Sequence, residues 1–218
     1  MAIQREYWIS PEEYLEIDRA SPEVKYEYAH GYMYPIRGGI VDLTGQMLNL
    51  AGGRRIAHVQ IAANMYTLLR AHLQGKCCRA YPSDMKVQVA EDLYFYPDVM
   101  VTCNPEDWEG RDQEDIIYSP RLIVEVLSPS TEAYDREDKF TDYQACSSIQ
   151  EYVLVSAQHQ RVEVYQRQGD GEKWTYQKFG PGQEVQLASI NFAFPMVALY
   201  EFTQVPEVRV TLARGKSK

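Results

Sequence analysis

The chain has few cysteines and no long apolar run. Its 218 residues include four cysteines, Cys77, Cys78, Cys103 and Cys146, and none stands in a Cys-x-x-Cys pair of the kind that binds zinc. The first residues lack the basic start and apolar stretch of a secretory signal. We therefore expect a cytoplasmic protein with reduced thiols. The apolar runs fall well short of the roughly 20 residues that cross a membrane, so we expect no membrane contact.

Positive charge is also scarce. The chain has 22 lysines and arginines against 31 acids, for a formal net charge of −9. This balance argues against broad electrostatic binding to nucleic acid, although it leaves room for a local basic cleft. Six of the acids and one arginine lie within residues 106–115, which predicts a solvated loop.

No composition shift of the kind that marks a linker divides the chain, so we predict one domain over residues 1–218. Ser10 followed by Pro11 is a typical helix start, and it predicts a first helix over 10–19. The pair His30-Gly31 predicts the turn of a hairpin. The N-terminal helix and hairpin would together occupy residues 10–36.

The predicted core, residues 54–156, begins with a long helix over 54–73. The helix's apolar stripe is predicted to contain Ile56, Val59, Ala63, Tyr66 and Leu73, with Leu69 close to it. Next we predict strands at 78–81, 84–90, 94–102 and around Glu125, a helix from Asp135 to Cys146, and a strand over 151–156. A hairpin and cap over 161–203 and a basic tail over 204–218 complete the chain. The order predicts an α/β fold with a central mixed sheet flanked by helices.

Two acids stand in apolar runs that are rich in β-branched and aromatic residues. They are Asp98 and Glu125. Such runs predict neighbouring core strands, where burying an unpaired carboxylate costs roughly several kcal/mol. A hard divalent cation prefers oxygen ligands and would offset that cost. The alternatives are that Asp98 accepts backbone hydrogen bonds and that Glu125 pairs with Arg121 or Lys86.

Three segments in this order resemble the motifs of a known family. They are residues 96–101, 122–131 and 135–143, the last with the pattern Asp-x-x-x-Lys-x-x-x-Tyr. The chain resembles the restriction-endonuclease-like PD-(D/E)XK superfamily, and in particular its Uma-two branch, over about residues 10–203. The resemblance implies a restriction-endonuclease-like core with an N-terminal hairpin and extra C-terminal strands.

The resemblance also implies an activity, namely hydrolysis of phosphodiester bonds in DNA by an endonuclease. One or two Mg²⁺ ions, with Mn²⁺ as a substitute, would be held by Asp98, Glu125 and the backbone carbonyl of Val126. The metal would activate a water molecule and polarise the scissile phosphate. A homodimer is expected, because many nucleases of this superfamily pair two sites across a duplex.

The chain departs from the superfamily pattern at Leu127, where a lysine is expected two residues after the second acid. The best substitute is Lys139, because a lysine from the following helix can reach the same cleft. The alternative is a surface ion pair between Asp135 and Lys139, four residues apart on one helix. If Lys139 does not replace the missing lysine, the chain would be a catalytically inactive nucleic-acid-binding or assembly protein on the same fold.

Three further residues are candidates with ordinary alternatives. His58 near the start of the long helix would touch the phosphate or the metal-bound water, or else be a satisfied core histidine. Glu27 would be an outer acid of the site or a solvated strand residue, and Asp84 an outer acid or a turn former. A third functional reading is a metal-dependent hydrolase of another phosphate ester.

Overall fold

The computed structural model describes residues 8–36, 40–41, 47–48, 56–111, 114–129, 131–169 and 173–207. The helices are α1 (Pro11–Arg19), α2 (Ile56–Leu73), α3 (Glu132–Arg136), α4 (Asp138–Ala145) and α5 (Met196–Leu199). The strands are β1 (Tyr26–Ala29), β2 (Tyr32–Pro35), β3 (Ile40–Val41), β4 (Met47–Leu48), β5 (Arg79–Pro82), β6 (Lys86–Ala90), β7 (Leu93–Phe95), β8 (Val99–Thr102), β9 (Ile116–Ile117), β10 (Pro120–Leu127), β11 (Glu151–Ser156), β12 (Val162–Gln168), β13 (Lys173–Phe179), β14 (Glu184–Leu187) and β15 (Phe192–Pro195). Most of the basic tail lies outside the described residues.

The strands form two main sheets. The five-stranded sheet has the order β2-β1-β7-β6-β9, and the six-stranded sheet has the order β13-β12-β11-β10-β8-β5. Strands β10 and β11 run parallel, whereas the other neighbours in the six-stranded sheet are antiparallel. The described part of the chain thus has the predicted α/β architecture with mixed sheets and flanking helices, including the N-terminal and C-terminal hairpins.

The predicted strand over 94–102 is wrong as one element, because the structure divides it between the two sheets. β7 pairs with β1 and β6, and β8 pairs with β5 and β10. The break falls at Tyr96-Pro97-Asp98. Proline has no backbone N–H to continue a ladder, which favours a change of sheet at this point. Asp98 therefore lies where the two sheets separate.

The face of helix α2 that packs on the six-stranded sheet matches the predicted stripe only toward the end of the helix, at Leu69 and Leu73. Its buried residues are His58, Ile61, Met65, Leu69 and Leu73, at helical spacings of three and four. Of the predicted stripe, Ile56 is 88% exposed and Val59 is 53% exposed. Both faces of the helix carry apolar side chains, so periodicity alone could not choose between them. The contact with the sheet decides, and it buries the face that bears His58.

The predicted helix from Asp135 to Cys146 is also wrong as one element. Helix α3 ends at Arg136 and α4 begins at Asp138, with the backbone broken at Glu137. Asp135 and Lys139 consequently belong to different helices. Their side chains are both buried, so the surface ion pair considered as an alternative is excluded.

The prediction of reduced thiols is wrong for two of the four cysteines, because Cys78 and Cys103 form a disulfide. These cysteines adjoin the paired residues Arg79 and Thr102 of β5 and β8, so the sheet places them opposite each other. Their separation of 25 residues gave no sign of this pairing. Cys77 and Cys146 are free.

The acidic loop is only partly solvated. Asp107 is buried and accepts hydrogen bonds from the backbone N–H groups of Tyr118 and Ser119. Asp115 pairs with the buried ammonium of Lys86 at 2.7 Å. Within the described ranges, no helix is long and apolar enough to cross a membrane.

Candidate active site

The two strand acids, Asp98 and Glu125, lie together at the end of the β8–β10 ladder. Val99 is opposite Val124 in that ladder, so the next residue on each strand is Asp98 on one side and Glu125 on the other. The N–H of Asp98 lies 3.4 Å from Glu125 Oε2. The two carboxyl groups occupy the same face of the sheet and are 4% and 5% exposed.

Asp98 has backbone and side-chain partners. Val126 N–H donates to Asp98 Oδ2 at 2.8 Å, beyond the last paired residue of β8. The carboxylate thus takes the place of a strand carbonyl, as the backbone-bonding alternative anticipated. On the other side, His58 Nε2 lies 3.1 Å from Asp98 Oδ1. His58 is buried, and its Nδ1 has no hydrogen-bond partner among the described residues.

Lys139 lies between two acids that belong to different sheets. Its Nζ is 2.9 Å from Glu125 Oε1 and 2.8 Å from Glu27 Oε1. The two residues predicted as alternative partners of Glu125 both contact other groups. Arg121 donates to the carbonyl of Ser189, and Lys86 pairs with Asp18 and Asp115.

Glu27 on β1 is not a solvated strand residue. It is buried, and besides Lys139 it accepts a hydrogen bond from the N–H of Tyr96 at 3.1 Å. Tyr96 stands two residues before Asp98 in the crossing between the sheets. Glu27 therefore links the five-stranded sheet to the lysine and to the turn that carries Asp98. Asp84, by contrast, lies outside the cluster, with an exposed carboxylate that pairs with Lys25.

Two members of the site had no role assigned from sequence. The Tyr143 hydroxyl donates to Glu125 Oε1 at 3.1 Å, and Asp135 is a further buried carboxyl group. The hydroxyl of Tyr152 fixes the backbone by donating to the carbonyl of Asp135. The signal for Asp135 and Tyr143 was their place in the motif that also contains Lys139.

The site contains more buried carboxyl groups than cationic groups, and this imbalance shifts their pKa values. Burial raises the pKa of Glu125 to about 8, against the lowering effect of Lys139, and the nearby Asp135, Asp98 and Glu27 raise it further. Burial also raises the pKa of Asp135. For Lys139, burial opposes the charged form, but Glu125, Glu27 and Asp135 outweigh it and hold the pKa well above its usual value. The lysine therefore stays charged, whereas burial favours the protonated form of Glu125.

The donor set suits a hard cation. Within the described residues, no group of three or more histidine, cysteine, aspartate or glutamate side chains is arranged to hold a metal. Mg²⁺, however, is usually bound by one or two carboxylates, with water and substrate phosphate oxygens completing its shell. Asp98 and Glu125 supply two such carboxylates, and a cation between them would balance the excess negative charge. The residues present thus fit Mg²⁺.

The family model described as "Putative restriction endonuclease", Uma2, matches residues 11–196. This chain belongs to the Uma2 family. The predicted family is thereby confirmed. The matched range contains all the residues of the site, from Glu27 to Tyr152.

Two proteins of similar length are similar to this chain in sequence. An uncharacterized protein, slr1290, of Synechocystis sp. (strain PCC 6803) is 36% identical over 193 residues, which are 88% of this chain and 91% of that protein. A second uncharacterized protein of the same strain, sll1609, is 30% identical over 177 residues, covering 81% of this chain and 90% of the relative.

A solved structure of another protein has the same fold as this Uma2 chain. It is described as the crystal structure of a "putative nuclease belonging to DUF820" from Anabaena variabilis ATCC 29413. The TM-score is 0.66 at 16% identity, covering 88% of this chain and 97% of that one. This likeness establishes the shared architecture and confirms the predicted fold.

Proposed function

We propose that this chain is a metal-dependent DNA endonuclease of the PD-(D/E)XK type, which hydrolyses phosphodiester bonds. The observation that carries the proposal is the contact of Lys139 with Glu125 at 2.9 Å, beside Asp98. It supplies the acid, acid and lysine combination that the pattern lacks at Leu127. A buried excess of carboxyl groups over cations gives this site a reason to bind a metal.

In this proposal Asp98 and Glu125, with the backbone carbonyl of Val126, would hold Mg²⁺, or Mn²⁺ in its place. When bound, the metal lowers the pKa of water and offsets charge on the phosphate and the leaving oxygen. His58 would hold Asp98 in place through its Nε2 contact. Tyr143 would hold Glu125 through its hydroxyl.

Lys139 would act on the reacting atoms. Its ammonium group has three N–H donors, and two carboxylates, Glu125 and Glu27, keep it in place. A donor in this position would orient the attacking water and stabilise negative charge that develops on the phosphate. Because Asp98, Glu125 and Lys139 are nearly closed to solvent, substrate binding would have to part the side chains above them.

A second candidate is a nucleic-acid-binding or assembly protein without catalysis. The close contact of Lys139 with Glu125 and the backbone hydrogen bond to Asp98 favour it, because both acids already have partners. The pairing of two copies across a duplex stays a prediction, which the mass of the protein in sedimentation would test.

The test is cleavage of supercoiled plasmid with Mg²⁺ or Mn²⁺, and with a chelator. We expect nicking with metal, none with chelator, and a loss of at least about 100-fold in Asp98→Asn and Glu125→Gln. Asp84→Asn is the matched control, since this exposed acid lies outside the site, and it should cut as the wild type does. Cleavage retained in both site variants would remove the assignment.

Lys139 and the second candidate have their own outcomes. Lys139→Ala should bind metal yet cut more slowly by about 100-fold, whereas cutting at the wild-type rate would exclude the lysine from the mechanism. Retention of DNA without any turnover, and no heat of metal binding in calorimetry, would instead favour the non-catalytic protein.

A further inference from the structure

Two arginines lie beside the acid site on the same face of the six-stranded sheet. Glu125 is opposite Leu154 on β11, and Leu154 is opposite Glu163 on β12. Residues opposite each other in neighbouring strands share a face, so Glu163 lies on the face of Glu125, two strands or about 10 Å away. At this position Glu163 contacts both Arg136 and Arg161.

The arginines are fixed side by side by two acids. Arg136 donates to both oxygens of Glu163, at 2.8 and 3.0 Å, and through Nε to Glu132 at 2.9 Å. Arg161 Nη2 lies 3.5 Å from Glu132. Arg161 Nε is 2.8 Å from Glu163 but is not aligned for a hydrogen bond, and it has no other acceptor among the described residues. The two guanidinium groups are thus preorganised, and both retain N–H donors beyond these bonds.

A lysine extends this group to the next strand. Lys178 on β13 is opposite Glu163, and it is exposed. Three cationic side chains against Glu132 and Glu163 leave one positive charge, in a chain whose net charge is −9. Burial, and the nearby charges of Arg161 and Lys178, lower the pKa of His159, and Glu132 and Glu163 oppose this effect.

We propose that Arg136, Arg161 and Lys178 form a basic strip that binds the phosphate backbone of DNA near the scissile bond. The inference rests on the proposed nuclease function and deepens it. The planar guanidinium fork matches the oxygens of a phosphate, and the lysine acts as a point charge on a neighbouring one. The strip lies about 10 Å along the sheet from Glu125, a distance that a few nucleotides of one strand span. It would give an acidic protein its local hold on DNA.

The test is fluorescence anisotropy of a short labelled duplex, titrated with protein in the presence of chelator at several salt concentrations. Lys178→Gln removes one cation and leaves the arginine pairs intact. We expect binding weakened by about 3- to 10-fold at low salt, and a salt dependence lower by about one unit in slope. Lys173→Gln is the matched control, because this exposed lysine lies on the same strand but on the opposite face, five residues away. It should bind as the wild type does.

Arg161→Gln, checked for folding by its melting temperature, should reduce the slope in the same way. If the wild type binds and cuts DNA but Lys178→Gln keeps the wild-type slope, the strip is wrong and the nuclease proposal stands. If the wild type cuts plasmid with metal but binds no duplex in chelator, the strip is overturned and the nuclease proposal stands. If the slopes change as expected and no cutting occurs with metal, the strip is supported and the catalytic proposal fails.

Discussion

Metal binding should be coupled to the loss of a proton from Glu125. Its pKa is raised from 4.5 to about 8, chiefly by burial, so the carboxyl group is protonated at pH 6 and ionised only above about pH 8. A metal binds the ionised form, and each pH unit below the pKa costs about 1.4 kcal/mol, or tenfold in affinity. Because half of the Glu125 carboxyl groups are ionised at pH 8, the apparent affinity for Mg²⁺ should be about 50-fold weaker at pH 6 than at pH 8.

The same shift sets the pH dependence of stability without metal. The folded protein holds the proton more tightly than the unfolded chain, so this group favours folding most below about pH 4.5. That contribution is lost as the pH rises from about 4.5 to about 8, because the unfolded chain ionises while the folded one does not. Mg²⁺ should therefore raise the melting temperature more at pH 8 than at pH 6.

Isothermal titration calorimetry of metal binding, in two buffers that differ in ionisation enthalpy, measures the proton directly. We expect release of close to one proton at pH 6 to 7 and little above pH 9. Glu125→Gln should lose both the metal binding and the pH dependence, and Asp84→Asn should keep them. Equal Mg²⁺ affinities at pH 6 and pH 8, or binding without proton release, would refute the assignment of Glu125 as a buried, protonated metal ligand.

Two further predictions concern stability. Lys139→Met leaves buried carboxyl groups without their cation, at a cost of about 3 to 5 kcal/mol, so its melting temperature should fall by about 6 to 20 °C, less at low pH. Lys173→Met should melt as the wild type does, and an unchanged melting temperature for Lys139→Met would contradict the buried cluster. Cys78→Ser opens a disulfide spanning 25 residues and should cost about 3 to 4 kcal/mol, seen in urea denaturation. Cys77→Ser is its control, and titration of four free thiols in the unreduced protein would rule the bond out.

The positions of the two strand acids could be predicted from sequence because the evidence was local. Each lies in a short run rich in β-branched and aromatic residues, and such runs indicate buried strands. Because a buried carboxylate needs a partner, Asp98 and Glu125 indicated a functional site, and the motifs around them indicated the family. The first helix and the hairpins could be predicted for the same reason, since caps and turns depend on neighbouring residues.

The contacts of Glu27 with Lys139 and Tyr96 could not be predicted, because these residues come from distant parts of the chain. Lys139 and Glu27 are 112 residues apart, and Tyr96 and Glu27 are 69 residues apart. Nothing in a single sequence states that β1 and α4 meet over the end of β10. For the same reason Glu27 could not be distinguished from a solvated strand residue.

Local patterns also misplaced elements where two outcomes were equally consistent with them. Helix α2 has apolar residues on two faces, and only its packing on the sheet buried the one with His58 and exposed Ile56. The sequence pattern around Tyr96 and Asp98 predicted one continuous strand. In the structure the chain passes from one sheet to the other at Pro97.

The sequence by itself determined that Asp98 and Glu125 would be buried and which family the chain belongs to, because hydrophobic patterning and motif order are local properties. Only the tertiary structure decided that Lys139, and not a residue at position 127, stands against Glu125. It also brought the carboxyl groups of Glu125, Glu27 and Asp135 around that one ammonium group. The arrangement depends on contacts between two sheets and a helix. The charge of Lys139 is close to the carboxyl groups only when these elements pack together.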